Sequence, residues 1–217
     1  PAGGAEPVTG AALGAYARKS DEYVELFGEI SSVHPADLDL VTRWVRGVDG
    51  PVLDAGCGPG HWTAHLAGVG VAVREVDSTA EFVDHARAAQ PGCRFEMADL
   101  SALPDPEASL AGVVAWYSLI HHEPDELLIA LREFARVLRP GGKLLVGFFH
   151  DPGRPGADDR GVELYDHAVA PAYRRTVDAL SAQLRMADFV VVVTHTRTGP
   201  GYRPHGAIIA DLKIEET

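Results

Sequence analysis

The sequence predicts an α/β protein built on a doubly wound, mainly parallel sheet. Three observations carry that prediction. Strand-like and helix-like segments alternate from about residue 50 to residue 150, the pattern of consecutive βα units. The stretch 110–117, Leu-Ala-Gly-Val-Val-Ala-Trp-Tyr, is apolar almost throughout, which suits a strand covered on both faces. A short apolar strand, 52–55, runs into Gly56-Cys57-Gly58-Pro59-Gly60, where glycine recurs at every second position. Glycine lets backbone adopt positive φ and approach a ligand closely, so a ligand-binding strand-to-helix turn is expected there.

The remaining elements follow in order. Residues 61–69 read as a helix, with Trp62 and Leu66 four apart on one face. Residues 71–76 read as the second strand, 79–89 as the second helix and 94–97 as the third strand. Pro124 fits a first helical position. Leu127, Leu128, Leu131, Phe134, Ala135 and Leu138 then form one apolar stripe, and Pro140-Gly141-Gly142 ends it. Residues 143–149 make the fifth strand. Residues 9–47 read as helical and carry Tyr16, Tyr23, Phe27 and Trp44. Residues 151–161, rich in Pro, Gly, Asp and Arg, read as a loop, and 173–185 as a helix. Two closing strands, 190–195 and 207–212, are joined by a connection over 198–205. The pattern implies a single domain over 1–217, with a helical lid at 1–47 and an α/β core over 50–217.

Composition narrows the partners. The chain has 217 residues, 46% apolar and 23% charged, which suits one globular domain with a sizeable core. Lys and Arg total 19 against 31 for Asp and Glu, a net charge of −12. That balance argues against nucleic acid as a partner, because neutralising phosphates needs clustered cations. Cys57 and Cys93 alone make neither a disulfide framework nor a zinc site, so no metal is expected. No apolar run approaches 18 residues, and the first residues lack the basic start of a secretory signal. No membrane partner and a cytoplasmic location are therefore expected.

Open α/β sheets bind ligands beyond the carboxyl ends of their strands, which directs attention to the residue after each strand. A dinucleotide fingerprint would need glycine at 61; here that residue is His61, and the third glycine is Gly60. Asp54 either orients the glycine loop or reaches a ligand amino group through water. Asp77 lies 21 residues past Gly56 and can accept both hydroxyls of a ribose; the alternative is that Asp77 or Ser78 caps the next helix. Asp99 can accept an adenine amine while a neighbouring N–H meets a ring nitrogen, or it is an ordinary loop aspartate.

Residues 54–60, Asp77-Ser78, Asp99-Leu100, the turn Leu119-Ile120-His121-His122 and residues 136–142 occur in one characteristic order. Together they resemble the class I S-adenosylmethionine (SAM)-dependent methyltransferases, of the small methyltransferase-domain type. The similarity covers about residues 16–149 well and 173–212 loosely. The resemblance implies a Rossmann-like, seven-stranded sheet in the order 3-2-1-4-5-7-6, its last strand antiparallel, with SAM as the methyl donor. It implies a cofactor-binding set of Tyr16, Asp54, Gly56, Cys57, Gly58, Gly60, Asp77, Ser78, Asp99, Leu100 and Tyr117. Two positions depart from the family pattern. Gly112 stands where Asp is common early in strand four, and Lys19 stands where Arg is common in the N-terminal helix.

The acceptor has no diagnostic motif. No N/D-P-P-Y/F segment follows strand four, which disfavours nucleobase amino groups, and no cysteine set suits arsenic. A hydroxyl or protonated amine needs a base. His121 and His122 are the catalytic candidates, since histidine titrates near neutral pH; otherwise they pack or cap the next helix. Phe148-Phe149-His150, Asp166-His167 and Tyr173-Arg174 either face the acceptor or belong to core and solvated surface. The reading is a SAM-dependent methyltransferase acting on the O or N of a small molecule. Its rivals are a SAM-binding regulatory protein without catalysis and an NAD-dependent oxidoreductase, the latter disfavoured by His61.

Overall fold

The computed structural model describes residues 8–150, 158, 160–199 and 202–214. Three helices come first: α1 (Val8–Arg18), α2 (Ser20–Phe27) and, after a 3-10 turn, α3 (Pro35–Arg46). The alternating core is β1 (Val52–Ala55), α4 (His61–Gly68), β2 (Val73–Asp77), α5 (Ala80–Ala89), β3 (Phe95–Met97), β4 (Leu110–Trp116), α6 (Pro124–Val137) and β5 (Leu138–Phe149). Then come β6 (Val162–Tyr165), β7 (Ala172–Arg175), α7 (Val177–Met186), β8 (Phe189–Gly199) and β9 (Tyr202–Leu212).

Seven strands form one sheet in the order β3-β2-β1-β4-β5-β9-β8. The first five are parallel, and β9 runs antiparallel to both neighbours. This is the expected order with the last strand reversed; β6 and β7 pair separately as a two-stranded ribbon. Apolar cores lie on both faces. On one, Leu127, Leu131 and Phe134 of α6 and Leu180 and Leu184 of α7 pack on Leu53, Val113 and Leu144. On the other, Leu40, Val41, Trp44 and Val45 of α3 meet Trp62 and Leu66 of α4 over Val114 and Leu145. Burial on both faces explains why β4 reads as a continuous apolar run. Helix α6 is started by Pro124 and by a capping box in which the Glu123 N–H donates to Glu126 Oε2 at 3.0 Å.

Gly112, the departure from the family pattern, has a packing cause. A Cβ there would sit 3.1 Å from Val48 and 3.2 Å from the Trp44 ring. Helix α3 is seated on this bare backbone, which an aspartate side chain would lift away.

Three expectations are corrected. Residues 173–175 are strand, not helix. The Tyr173 N–H donates to the Ile120 carbonyl at 2.7 Å and β7 pairs with β6, so tertiary hydrogen bonds override local propensity. Helix α7 starts only after Thr176, whose Oγ1 accepts from the Ala179 N–H at 3.1 Å. Residues 138–142 join β5 directly to α6 rather than forming a separate stop. The expected connection over 198–205 is largely strand, because β8 and β9 extend to Gly199 and Tyr202 and pair Arg197 with His205. Most of the expected loop at 151–161 lies outside the described residues. Among the described residues no helix is long and apolar enough to cross a membrane, and no cluster of His, Cys, Asp or Glu is arranged to hold a metal ion.

Replacing Gly112 with Asp is expected to destabilise the protein by about 2 kcal/mol or more, through overpacking and burial of a charge. Urea unfolding measures this; unchanged stability would show that α3 is not held by the contact.

Candidate functional site

A cleft of about 600 Å³ opens at the carboxyl edge of the sheet. Its floor is the turns after β1, β2, β3 and β4, and its walls come from α1, α2, α3 and the β8–β9 hairpin. Tyr16, Gly56, Cys57, Gly58, Asp77, Ser78, Asp99, Leu100, Tyr117, His121 and His122 all line it. Asp54 and Gly60 do not.

The glycines serve different ends. At Gly56, φ is +81° and a Cβ would fall 2.3 Å from Ser118 Cβ, so the turn after β4 presses directly on the loop. At Gly58, φ is +53° and a Cβ would meet nothing within 4 Å. That position leaves bare backbone beside open space, the cradle a ligand would fill. Gly60 caps α4 and packs on Ala86 and Phe95.

Asp54 lies beneath the loop. Its Oδ2 accepts from Thr63 Oγ1 at 2.8 Å, and burial pushes its carboxyl up to about 7. Of its two roles, the geometry fits the loop-orienting one. Asp77 is buried, and both oxygens accept from backbone: Oδ2 from the Gly58 N–H at 2.9 Å and Oδ1 from the Thr79 N–H at 2.8 Å. Burial raises its pKa, and these hydrogen bonds oppose the rise. A carboxylate offers about four acceptor sites; the Thr79 side chain and the Ser78 N–H also draw on them, and what capacity is left faces the cleft. Thr79 occupies the N-cap position of α5 but makes no side-chain capping bond, and the Asp77 carboxylate that accepts from its N–H serves the start of this helix as well as facing the cleft. Asp99 is exposed at the rim, where Oδ1 accepts from the Ser101 N–H at 2.8 Å and hydroxyl at 2.7 Å. Burial works to raise its pKa, but those bonds and His122 bring it below the usual carboxylate value.

His121 is held from both sides. Its Nδ1 lies 2.8 Å from the Pro171 carbonyl, and its Nε2 lies 3.0 Å from Tyr16 Oη. A carbonyl only accepts, so Nδ1 carries the proton and Nε2 accepts the Tyr16 hydroxyl. Burial lowers the His121 pKa and keeps it neutral. Tyr16 also stacks edge-on against Tyr23, with centroids 5.4 Å apart. Lys19 donates to the Ala168 carbonyl at 2.8 Å. The N-terminal helices are thus latched over the cleft. His122 is pushed down to about 4, mainly by burial, and its carbonyl accepts from Arg175.

Of the acceptor-side candidates, Phe149 and His167 line the cleft. Phe148 is core, and Arg174 pairs with Glu163 at 3.2 Å over the Tyr165 ring. Sequence reasoning missed a second cluster. Asp37 of α3 forms a two-pronged ion pair with Arg197 of β8, one prong being Nη2 to Oδ2 at 2.9 Å. His205 of β9 bonds through Nδ1 to Tyr117 Oη, and its Nε2 lies 3.6 Å from Asp37 Oδ1. These partners are 160 and 88 residues apart, and no local pattern marks them. Tyr117 itself has φ +60°, backbone strain of the kind that collects at functional sites.

The strand order, the glycine turn and the acidic residue after β2 define a nucleoside-binding α/β protein of the methyltransferase class. A family model described as "Methyltransferase domain" matches residues 52–142. A probable S-adenosylmethionine-dependent methyltransferase from Mycobacterium tuberculosis is 34% identical over 201 residues, covering 82% of this chain and 69% of that protein. The chain belongs to the SAM-dependent methyltransferases, an enzyme family whose methyl donor is SAM. A malonyl-[acyl-carrier protein] O-methyltransferase from Erwinia billingiae is 37% identical over 94 residues; the alignment covers 43% of this chain but only 37% of that enzyme. Among solved structures, Burkholderia thailandensis 1,6-didemethyltoxoflavin-N1-methyltransferase, with bound 1,6-didemethyltoxoflavin and S-adenosylhomocysteine, superposes with a TM-score of 0.75 at 26% identity, over 98% of this chain and 93% of that one.

Gly58→Ala is expected to fold, at a cost of about 1 kcal/mol for the left-handed backbone, and to lose S-adenosylhomocysteine affinity by about tenfold or more as the methyl group enters the cradle. Calorimetry showing undiminished affinity would mean that no ligand approaches this backbone.

Stability should peak near pH 6.5. His61, His122, His167 and His205 are held near 4, mainly by burial. As pH falls from about 6.5 to 4, the unfolded chain binds protons that the folded chain refuses, and stability is lost. Asp54 and the fully buried Glu75 are raised to about 7 and about 8 by burial. They hold protons that the unfolded chain sheds above about pH 4, so their contribution declines from there and is gone by about 7 and about 8; the histidines outweigh this loss up to about 6.5, and above it stability falls until about 8. Chemical denaturation across pH 4 to 9 measures both limbs; a monotonic profile would contradict these assignments.

Proposed function

We propose that this chain transfers a methyl group from SAM to the oxygen or nitrogen of a small-molecule acceptor. The observation that carries the reading is the open backbone at Gly58, tied to the buried Asp77 carboxylate within one cleft. These residues fit the group. The loop Gly56-Cys57-Gly58 takes the amino-acid end, with the backbone at Tyr117 beside it. Asp77, next to Ser78, accepts the ribose hydroxyls. Asp99 and the backbone at Leu100 meet the adenine. When bound, SAM supplies an electrophilic methyl on a sulfonium centre.

The chain's own work is positioning and exclusion of water, which can supply most of the acceleration in an in-line transfer. His121 acts as a positioning residue. Its acceptor nitrogen is occupied by Tyr16, so it fastens α1 over the cleft. His122 is buried and neutral, and its backbone carbonyl anchors Arg175. We read 1–217 as one domain, with 1–47 as a lid over a core at 50–217. The cytoplasm is the expected compartment, consistent with two free cysteines. The relatives support both acceptor atoms, since one is named for O-methylation and another for N-methylation.

Calorimetry is expected to show binding of SAM and S-adenosylhomocysteine and none of NAD; NAD binding alone would overturn the reading. Hydrogen exchange should slow around Tyr16 when S-adenosylhomocysteine is added. In Tyr16→Phe that slowing should shrink, and affinity should drop by about 1 kcal/mol, the worth of one hydrogen bond. Identical protection with and without ligand would make α1 a fixed cover.

A further inference from the structure

The switch point of the sheet lies between β1 and β4. On the proposed reading of the site, adenosine lies over β2 and β3, so the reacting methyl faces the β4–β5 side. Apart from the Tyr117 backbone, the proposed reading gives the groups there no part in holding the cofactor. Rings form a flat-walled chamber: Trp116 lies 5.6 Å from Trp62 and 5.4 Å from His205, and Tyr117 lies 5.0 Å from Phe149, centroid to centroid. Within it the Tyr117 hydroxyl bonds to His205 Nδ1, and His205 Nε2 faces Asp37 Oδ1 at 3.6 Å. Asp37 is fixed by Arg197. Arg203 lies 5.8 Å above the Phe149 ring.

We propose that the acceptor is a phenol-type hydroxyl on a flat aromatic ring, and that Tyr117, His205 and Asp37 form the relay that takes its proton. This inference rests on the methyltransferase reading above. Asp37 beside Nε2 favours a proton on that nitrogen, which leaves Nδ1 to accept from the Tyr117 hydroxyl. The acceptor O–H gives its proton to Tyr117 Oη as the tyrosine proton passes to His205 Nδ1. The freed oxygen electron pair forms the new bond to the methyl carbon. The sulfur–methyl bond breaks, and its electron pair stays on sulfur as a neutral thioether. The positive charge lost at sulfur passes to the imidazolium opposite Asp37 only in transit, since burial holds His205 near 4 and the proton moves on to water. At 3.6 Å Asp37 acts on His205 through its charge rather than through a hydrogen bond. With Arg197 neutralised by Asp37, Arg203 is the cation on this side that favours a developing phenolate and disfavours an ammonium group, which sets the hydroxyl acceptor above the amine. The charged and titratable groups around His205 are Asp37, Arg197, His34 and His150.

The test uses the whole chain with two phenols of different acidity, p-cresol and p-nitrophenol, and benzylamine as the cationic control. With S-adenosylhomocysteine bound, p-nitrophenol should quench the tryptophan fluorescence and benzylamine should not. With SAM, both phenols should be methylated at pH 8. His205→Asn keeps an acceptor for Tyr117 but cannot hold the proton. It should lower kcat on p-cresol about a hundredfold and change kcat on p-nitrophenol, already ionised, by less than about fivefold. Tyr117→Phe, which keeps the ring, should show the same split. Both variants should remain folded, with a lower melting temperature for the disturbed buried hydrogen bond, and should bind S-adenosylhomocysteine, because the Tyr117 backbone is kept. Equal losses on the two phenols, or binding and methylation of the amine alone, would overturn the relay. A wild type that binds S-adenosylhomocysteine but methylates neither phenol overturns this inference and leaves the methyltransferase reading standing. A wild type that does not bind it removes both.

Discussion

The carboxylate of Asp77 is the constraint on which the site depends. It joins two turns that the chain makes 19 residues apart, accepting from Gly58 on one side and from Thr79 on the other. The first bond holds the glycine loop in a left-handed shape, and the second sets the start of α5. Beneath it, the Thr63 hydroxyl ties Asp54 to α4. Above it, Gly56 and the Ser118 side chain are so close that no side chain fits between them. A rigid floor results, with its hydrogen-bond donors spent on protein and its spare acceptor capacity turned to the cleft.

The walls follow from the two cores. Helix α3 sits on the sheet because Gly112 leaves room for Trp44, and that seating puts Asp37, in the helix's first turn, at the cleft. The long β8–β9 hairpin brings Arg197 and His205 to the same place from the far edge of the sheet. The side of the cleft proposed for the acceptor therefore depends on the packing of α3 and the β8–β9 hairpin.

The division explains what could be read from the sequence. The floor is built from local patterns: a strand, a glycine turn, an acid about 20 residues on. Asp77, Asp99 and Gly58 were legible at the sheet's edge for that reason, whereas the strand order came from the family resemblance. Asp54 and Gly60 carry the same motif yet face protein, because spacing marks a turn and not the direction of a side chain. Residues 173–175 misled because Ala-Tyr-Arg-Arg has no helix breaker, while the Ile120 carbonyl and β6 were waiting to pair with it. His121 was legible as a histidine in the right turn, but its two partners, Tyr16 and Pro171, come from distant segments. Asp37, Arg197 and His205 carried no signal, since each takes its meaning from a neighbour that only the tertiary fold supplies.

The Asp37–Arg197 pair spans 160 residues of chain, which orders events in time. The turns of the floor all precede β5 in the chain, whereas Arg197 lies in β8. The acceptor chamber closes only when the final hairpin arrives to meet a helix made near the beginning. Closing a longer loop adds little entropic cost, so the separation imposes an order of appearance rather than a weak clasp. The residues proposed to hold the donor are all made before the last of those proposed to meet the acceptor.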